Sequence, residues 1–300
     1  MPITCPAPER HSIRHFTRGP QSTMLLLPLL VQTALAYAAP NVSDPIKLGT
    51  LSSNNTGQSA VRTLSATAHI AGGWVQSDSN THRAALWHGS NWATKVDLGT
   101  FVYDDSGASF VNALNSNGTI AAGQADRNVN GAPRAIIWHG TNWATKVDLG
   151  TLRSDFKGNS EARALSADGS IVAGWAHNQD NASRATVWHG PNWSQKTDLG
   201  THTSDDSGES MANSLSADGS IVAGGTRKKP WHTRATVWHG SNWSQKTDLG
   251  THKSDNSGQS IVHALSANGH IAAGTAENDT NTAHAIIWHG PNWATKVNLG

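Results

Sequence analysis

Residues 160 to 201 read SEARALSADGSIVAGWAHNQDNASRATVWHGPNWSQKTDLGT, and the chain is organised around this stretch. Its second half, ATVWHGPNWSQKTDLG, recurs at 84–99, 135–150, 235–250 and 285–300 with conservative changes. The second Trp of each copy falls at 92, 143, 193, 243 and 293, a spacing of 51 and then 50 residues. Periods of this length mark arrays and propellers, so the repeat sets the fold. Within one copy, Ala162 to Ser166 and Ser170 to Gly174 flank Ala167-Asp168-Gly169. Asp-Gly between apolar runs predicts a tight hairpin, because both residues tolerate positive φ. The same turn reads Asn117-Gly118, Asp218-Gly219 and Asn268-Gly269, with Ala68-His69 in its place in the first copy. A second hairpin is expected from Ala185 to Trp188 and Trp193 to Gly200 around His189-Gly190-Pro191-Asn192. It sets Trp188 opposite Trp193, a cross-strand pair contributing roughly 0.5 to 1.5 kcal/mol beyond its buried area.

Four strands per copy make an antiparallel meander. Its central runs, such as Ile171-Val172-Ala173-Gly174, are apolar at consecutive positions, so both faces of each sheet are covered. One small sheet every ~50 residues, covered on both sides by its neighbours, predicts an all-β fold, a β-propeller-like array of about five four-stranded antiparallel blades. A β-solenoid has a shorter coil.

The domain organisation expected is a leader over 1–38, a linker with an orphan strand over 39–56, and the repeats over 57–300. Met24 to Ala36 is an apolar run behind Arg10, Arg14 and Arg18, ending in Ala-x-Ala, the pattern of a signal peptide and too short for a stable bilayer span. The only Cys, Cys5, lies in that leader, leaving the rest without thiol chemistry. Beyond residue 38 there are 19 basic and 20 acidic residues, which argues against nucleic acid or a polybasic membrane contact. Ile46-Lys47-Leu48-Gly49-Thr50 matches the end of each repeat, so six Leu-Gly segments (48, 98, 149, 199, 249, 299) stand against five copies of everything else. A closed ring of five has no place for one of the terminal segments, whereas a larger ring or an open array leaves both awaiting partners. A frame truncated near Gly300 is the expectation.

Between copies lie turns such as Tyr103-Asp104-Asp105-Ser106-Gly107, Ser204-Asp205-Asp206-Ser207-Gly208 and Ser254-Asp255-Asn256-Ser257-Gly258. They resemble the Asp box of sialidase-type propellers, with its aromatic kept only as Phe110 and its pattern broken at Phe156-Lys157. An Asx turn closing on its own backbone accounts for them better than a calcium loop, which needs alternating carboxylates and a bidentate Glu.

The ordered series of [AS]-L-[SN]-A-[DN]-G-S-I-V-A-G, R-A-T-V-W and D-L-G-T resembles the HAF-type extracellular repeat of bacterial secreted proteins and autotransporter passengers. The likeness spans residues 46 to 300. It implies export, a secreted or cell-surface location, outer membrane association if part of an autotransporter, and a C-terminal β-barrel in a full-length parent.

Recurrent polar residues are His88, His139, His189, His239 and His289, and Arg83, Arg134, Arg184, Arg234 with His284. The histidines are expected in turns or caps rather than around zinc, being a blade apart. The arginines are expected over Trp faces or paired with aspartates. A catalytic centre would appear as departures from the repeat: Tyr103, Glu161, Glu277 and Arg227-Lys228-Lys229-Pro230-Trp231. Three functions fit: a binding or adhesion module, a lectin-like propeller, and a sialidase-like glycosidase, for which no Glu stands beside Tyr103. The expectation is a non-enzymatic binding module with no cofactor or metal and with surface glycans or proteins as partners. Its candidate ligand residues are Asn91, Trp92, Asn142, Trp143, Asn192, Trp193, Asn242, Trp243, Asn292 and Trp293, where an amide and a ring face suit a sugar.

Overall fold

The structure is a computed structural model that describes residues 46–102, 104, 106–127, 132–228 and 232–300. The leader, Cys5, Tyr103, Asp105 and Lys229 to Trp231 lie outside the described residues. Ile46 to Gly300 form one compact unit. The first sheet comprises β1 (Ser59–Leu64), β2 (Ala71–Gln76), β3 (His82–His88) and β4 (Thr94–Asp97). The second comprises β5 (Ser109–Leu114), β6 (Ala121–Asp126), β7 (Pro133–His139) and β8 (Thr145–Asp148), and the third β9 (Ser160–Leu165), β10 (Val172–His177), β11 (Ser183–His189) and β12 (Gln195–Asp198). The fourth holds β13 (Ser210–Leu215), β14 (Val222–Lys228), β15 (His232–His239) and β16 (Gln245–Asp248), and the fifth β17 (Ser260–Leu265), β18 (Ala272–Glu277), β19 (Ala283–His289) and β20 (Thr295–Asn298). Each is an antiparallel meander in sequence order.

The Asp-Gly hairpin forms as its chemistry dictates. Asp168 Oδ1 accepts from Ser170 N at 2.9 Å and from Ser166 Oγ at 2.6 Å, while Ser166 Oγ accepts from Ile171 N at 2.9 Å. Gly169 takes φ 82°, and a Cβ there would lie 2.5 Å from Ile120 of the preceding sheet. In the first copy the equivalents are Thr67 and Ala68, one residue earlier than the Ala68-His69 expected, and Ala68 bears φ 54° where later copies have Gly.

The second hairpin differs from expectation. Trp188 pairs with Lys196, and Trp193 sits in a short 3-10 turn, Pro191–Trp193, with Asn192 at φ 51° and Trp193 at φ 53°. No cross-strand Trp pair forms, because the five turn residues Gly190 to Ser194 consume the chain between His189 and Gln195. The two Trp sets instead do separate jobs between sheets. Trp138, Trp188, Trp238 and Trp288 are wholly buried and donate Nε1 to the carbonyls of Leu98, Leu149, Leu199 and Leu249 of the preceding copy, at 2.9 to 3.1 Å.

Other bonds join each sheet to the next. The buried hydroxyls of Ser109, Ser160, Ser210 and Ser260 accept the N–H groups of Ala84, Ala135, Ala185 and Ala235 at 2.9 to 3.0 Å. The hairpin tips bond in series, Ala66 N to Ser116 O, Ser116 N to Ala167 O, Ala167 N to Ala217 O and Ala217 N to Ala267 O. Between these lie four apolar interfaces of one composition. In the last, Ala235, Val237 and Leu249 meet Val262, Ile286, Trp288 and Trp293. In the third sheet the consecutive apolar residues of the second and third strands are buried on both faces, as the sequence predicts, whereas in the fifth sheet β18 and β19 are buried only in part.

Candidate functional site

A bulge interrupts the first strand of every sheet. Gly174 pairs with Ala162 and Ala173 with Ala164, so Arg163 has no partner in the ladder. The same skip falls on Arg62, Asn112, Asn213 and His263. Its cause lies in the second strand. A Cβ on Gly73, Gly123, Gly174, Gly224 or Gly274 would lie 1.9 to 2.0 Å from the facing carbonyl oxygen, that of Glu161 in the third sheet. Only glycine permits this approach, and the extra residue it accommodates turns its side chain out of the ladder.

First strands of successive sheets touch in series, β1 with β5, β5 with β9, β9 with β13 and β13 with β17. The bulge residues consequently form one row. Arg62 Nη1 donates to Asn112 Oδ1 at 2.7 Å, and Asn112 Nδ2 donates to Glu161 Oε1 at 3.1 Å and to Ala162 O at 2.9 Å. Arg163 holds Glu161 Oε2 through Nε and Nη2 at 3.1 and 3.0 Å and reaches Asn213 Oδ1 with Nη1 at 2.8 Å. Trp175 Nε1 gives Glu161 Oε2 a further bond at 2.8 Å, and Asn213 Nδ2 donates to Val262 O at 2.8 Å. The Arg62 guanidinium lies 4.9 Å above the Phe110 ring, and Arg62 and His263 are exposed. Two guanidiniums, two amides, a carboxylate and an imidazole thus line one strip across all five sheets, hydrogen-bonded in series from Arg62 to Asn213. Because Glu161 is held from three sides, the cationic edge at Arg62 is the part open to an acidic group.

Glu161 was legible as a departure from the repeat; the five bulge positions were not. The signal that finds them is local variation: the position reads Arg, Asn, Arg, Asn, His while the Ser three residues before it and the Leu two after stay constant.

The ten Asn and Trp positions fall on five equivalent turns. Asn91, Asn142, Asn192, Asn242 and Asn292 are exposed at φ 51° to 55°. Trp143, Trp193, Trp243 and Trp293 donate Nε1 to the carbonyls of Gly118, Gly169, Gly219 and Gly269, each at 2.9 Å. Their rings rest on His88, His139, His189 and His239 of the preceding copy, with centroids 5.3 to 5.6 Å apart. The amides are therefore presented to solvent, while the rings are spent mainly between sheets. Trp92 has no preceding copy, and its buried Nε1 is without a partner among the described residues.

The recurrent arginines pair with aspartates, Arg83 with Asp97 at 3.2 Å, Arg184 with Asp198 at 3.1 Å and Arg234 with Asp248 at 3.1 Å. Arg134 donates to the Phe156 carbonyl, and His284 Nδ1 lies 3.1 Å from Asn298 Oδ1. Among the other departures, Glu277 accepts from Gln259 N at 3.2 Å and Arg227 meets Glu209 at 2.6 Å. The inter-copy turns close as Asx turns, Ser207 N bonding Asp205 Oδ1 at 3.0 Å and Ser257 N bonding Asp255 Oδ1 at 2.8 Å. The Ser207 hydroxyl and amide hold Asp205 down to about 2. Among the described residues no cluster of His, Cys, Asp and Glu has the arrangement of a metal centre, and no helix is long and apolar enough to cross a membrane.

No family model matches the chain, and no curated protein matches it in sequence. Solved structures do. A putative TolB from Agrobacterium tumefaciens is similar at a TM-score of 0.55 and 10% identity, with 81% of each chain covered. TolB from Acinetobacter baumannii is similar at 0.53 and 15%, over 81% of this chain and 54% of its own, so this chain spans about half the length of that protein. A puromycin-hydrolyzing peptidase from Mycobacterium tuberculosis is similar at 0.51 and 12%, over 81% of this chain and 38% of its own. At such identities the likeness reports the fold, and with five consecutive four-stranded meanders packed face to face, the fold is that of a β-propeller.

Proposed function

We propose that this chain is a secreted or cell-surface binding module, of the kind found in autotransporter passengers, that holds an acidic segment of a partner protein along its row of first-strand bulges. The observation that carries this reading is where the copies differ. At the bulge the residue changes from copy to copy, Arg62, Asn112, Arg163, Asn213 and His263, between a Ser and a Leu that stay constant, and a side chain turned out of the ladder can change to suit a partner without disturbing the packing. The Arg-bearing leader followed by an apolar run supports export.

A fluorescent oligo-glutamate peptide titrated into the full chain tests the reading. Binding should weaken as salt rises, and Arg62→Ala with Asn213→Ala should lower affinity by ~10-fold or more at unchanged circular dichroism. Binding that ignores both substitutions removes the bulge row as the site. A second reading, recognition of glycans by the five turns, is favoured by the exposure of Asn91, Asn142, Asn192, Asn242 and Asn292. Replacing Asn142, Asn192 and Asn242 together with Ala should then abolish retention on a glycan array and leave peptide binding intact.

A further inference from the structure

The exposed large apolar side chains of this protein are concentrated at the two ends of the array. Among the described residues six of the seven, Ile46, Val61, Leu64, Ile271, Val297 and Leu299, belong to the first or last sheet and its flank. Leu299 is 62% exposed, while its equivalents Leu98, Leu149, Leu199 and Leu249 are 2 to 4% exposed under the following sheet. Ile287 is likewise half-buried where Leu86, Ile137, Val187 and Val237 are wholly covered. A recess of about 1010 Å³, walled by His270, Ile271, Ile287, His289, Trp293 and Val297, opens on this bare face.

At the other end, Leu48 to Thr50 make the contacts that the Leu-Gly-Thr segments closing later sheets make. Trp87 Nε1 donates to Leu48 O at 3.0 Å, as each later Trp does to the Leu of the sheet before it, and Lys95 donates to Thr50 O as Lys146 does to Thr100 O and Lys246 to Thr201 O. Thr50 N bonds Asn55 Oδ1 at 2.8 Å, as Thr251 N bonds Asn256 Oδ1 at 2.8 Å. One bond is different. Leu98, Leu149, Leu199, Leu249 and Leu299 donate their N–H to Ala84, Ala135, Ala185, Ala235 and Ala285 on the third strand of their own sheet. The N–H of Leu48 has no such third strand among the described residues.

We infer that both ends receive one and the same partner: a three-stranded antiparallel sheet of this repeat's own type. Its third strand would pair with residues 46–50 as the fourth strand of a sixth blade, and its other face would cover Ile287, Val297 and Leu299. The mating surface is the one used four times within the chain, and its hydroxyl-to-amide bond is already half present, since among the described residues no serine receives Ala285 N as serines receive Ala84, Ala135, Ala185 and Ala235. Six blades lie inside the ~4 to 8 usual for closed rings.

The test extends the full chain after Gly300 with a second copy of residues 251–290, which carries three strands and no fourth. Amide exchange at Leu48 should slow on the order of 100-fold, to the rate of Leu98, and the thermal midpoint should rise on the order of 10 °C. Exchange at Leu48 as fast as in the unextended chain overturns the inference. A second measurement needs no extension. In the unextended chain Ile287→Lys should leave the midpoint within ~2 °C, whereas Val237→Lys, at the covered equivalent, should abolish the transition. An unextended chain that sediments as a dimer dissociated by Ile287→Lys would assign the face to a second copy and defeat the proposal.

Discussion

Trp188→Phe isolates the bond that ties one sheet to the next. Trp188 is wholly buried, and its Nε1 donates to Leu149 O at 3.0 Å, with Leu149 itself only 2% exposed. Phenylalanine keeps an aromatic ring but removes the donor, leaving a dry carbonyl that costs ~1 to 3 kcal/mol. The lost five-membered ring leaves a cavity whose cost is about 1 to 2 kcal/mol. The sum is roughly 2 to 5 kcal/mol. Trp87→Phe makes the same change where the acceptor, Leu48 O, belongs to a half-buried residue at the end of the array. Water then replaces the indole, and only the cavity cost of about 1 to 2 kcal/mol should remain. Urea unfolding followed by Trp fluorescence measures both as a change in midpoint at constant slope. Equal losses at the two positions, within ~0.5 kcal/mol, would refute the assignment of the difference to the buried acceptor.

Gly174→Ala puts a Cβ 2.0 Å from the Glu161 carbonyl oxygen, so it should cost ~3 kcal/mol or more and displace Arg163 from Asn213; a variant with unchanged midpoint and unchanged peptide binding would show that the bulge tolerates a side chain. The pH dependence follows from the turn aspartates. Hydroxyls of Ser166 and Ser216, with the following amides, lower Asp168 and Asp218 below the usual carboxylate range. Asp205 is held at about 2. The unfolded chain binds protons first as pH falls, so this stabilisation is complete above about pH 5 and is lost as pH drops through ~4 toward 2. Asp168→Asn with Asp218→Asn, the amide already standing at Asn117 and Asn268, should shrink the loss of urea midpoint between pH 5 and pH 2.5. An unchanged loss would place the acid sensitivity elsewhere.

The period of the tryptophans, the Asp-Gly turns and the unbroken apolar runs were enough to determine five antiparallel meanders stacked face to face, because each of these signals acts within a few residues. Asp168 bonds Ser170, and Gly169 supplies its own positive φ, whatever the rest of the chain does. The tertiary structure decided what depends on neighbours one copy away. Trp188 and Trp193 are five residues apart, yet one reaches back to Leu149 of the preceding copy, while the other bonds Gly169 and rests on His139. A local reading paired them with each other because nothing in fifteen residues reports a partner 39 positions upstream. The bulges lay beyond the sequence for the same reason. The glycine that permits each one is in the second strand, the residue it turns outward is in the first, and the strip of Arg62, Asn112, Arg163, Asn213 and His263 exists only because five sheets bring their first strands side by side.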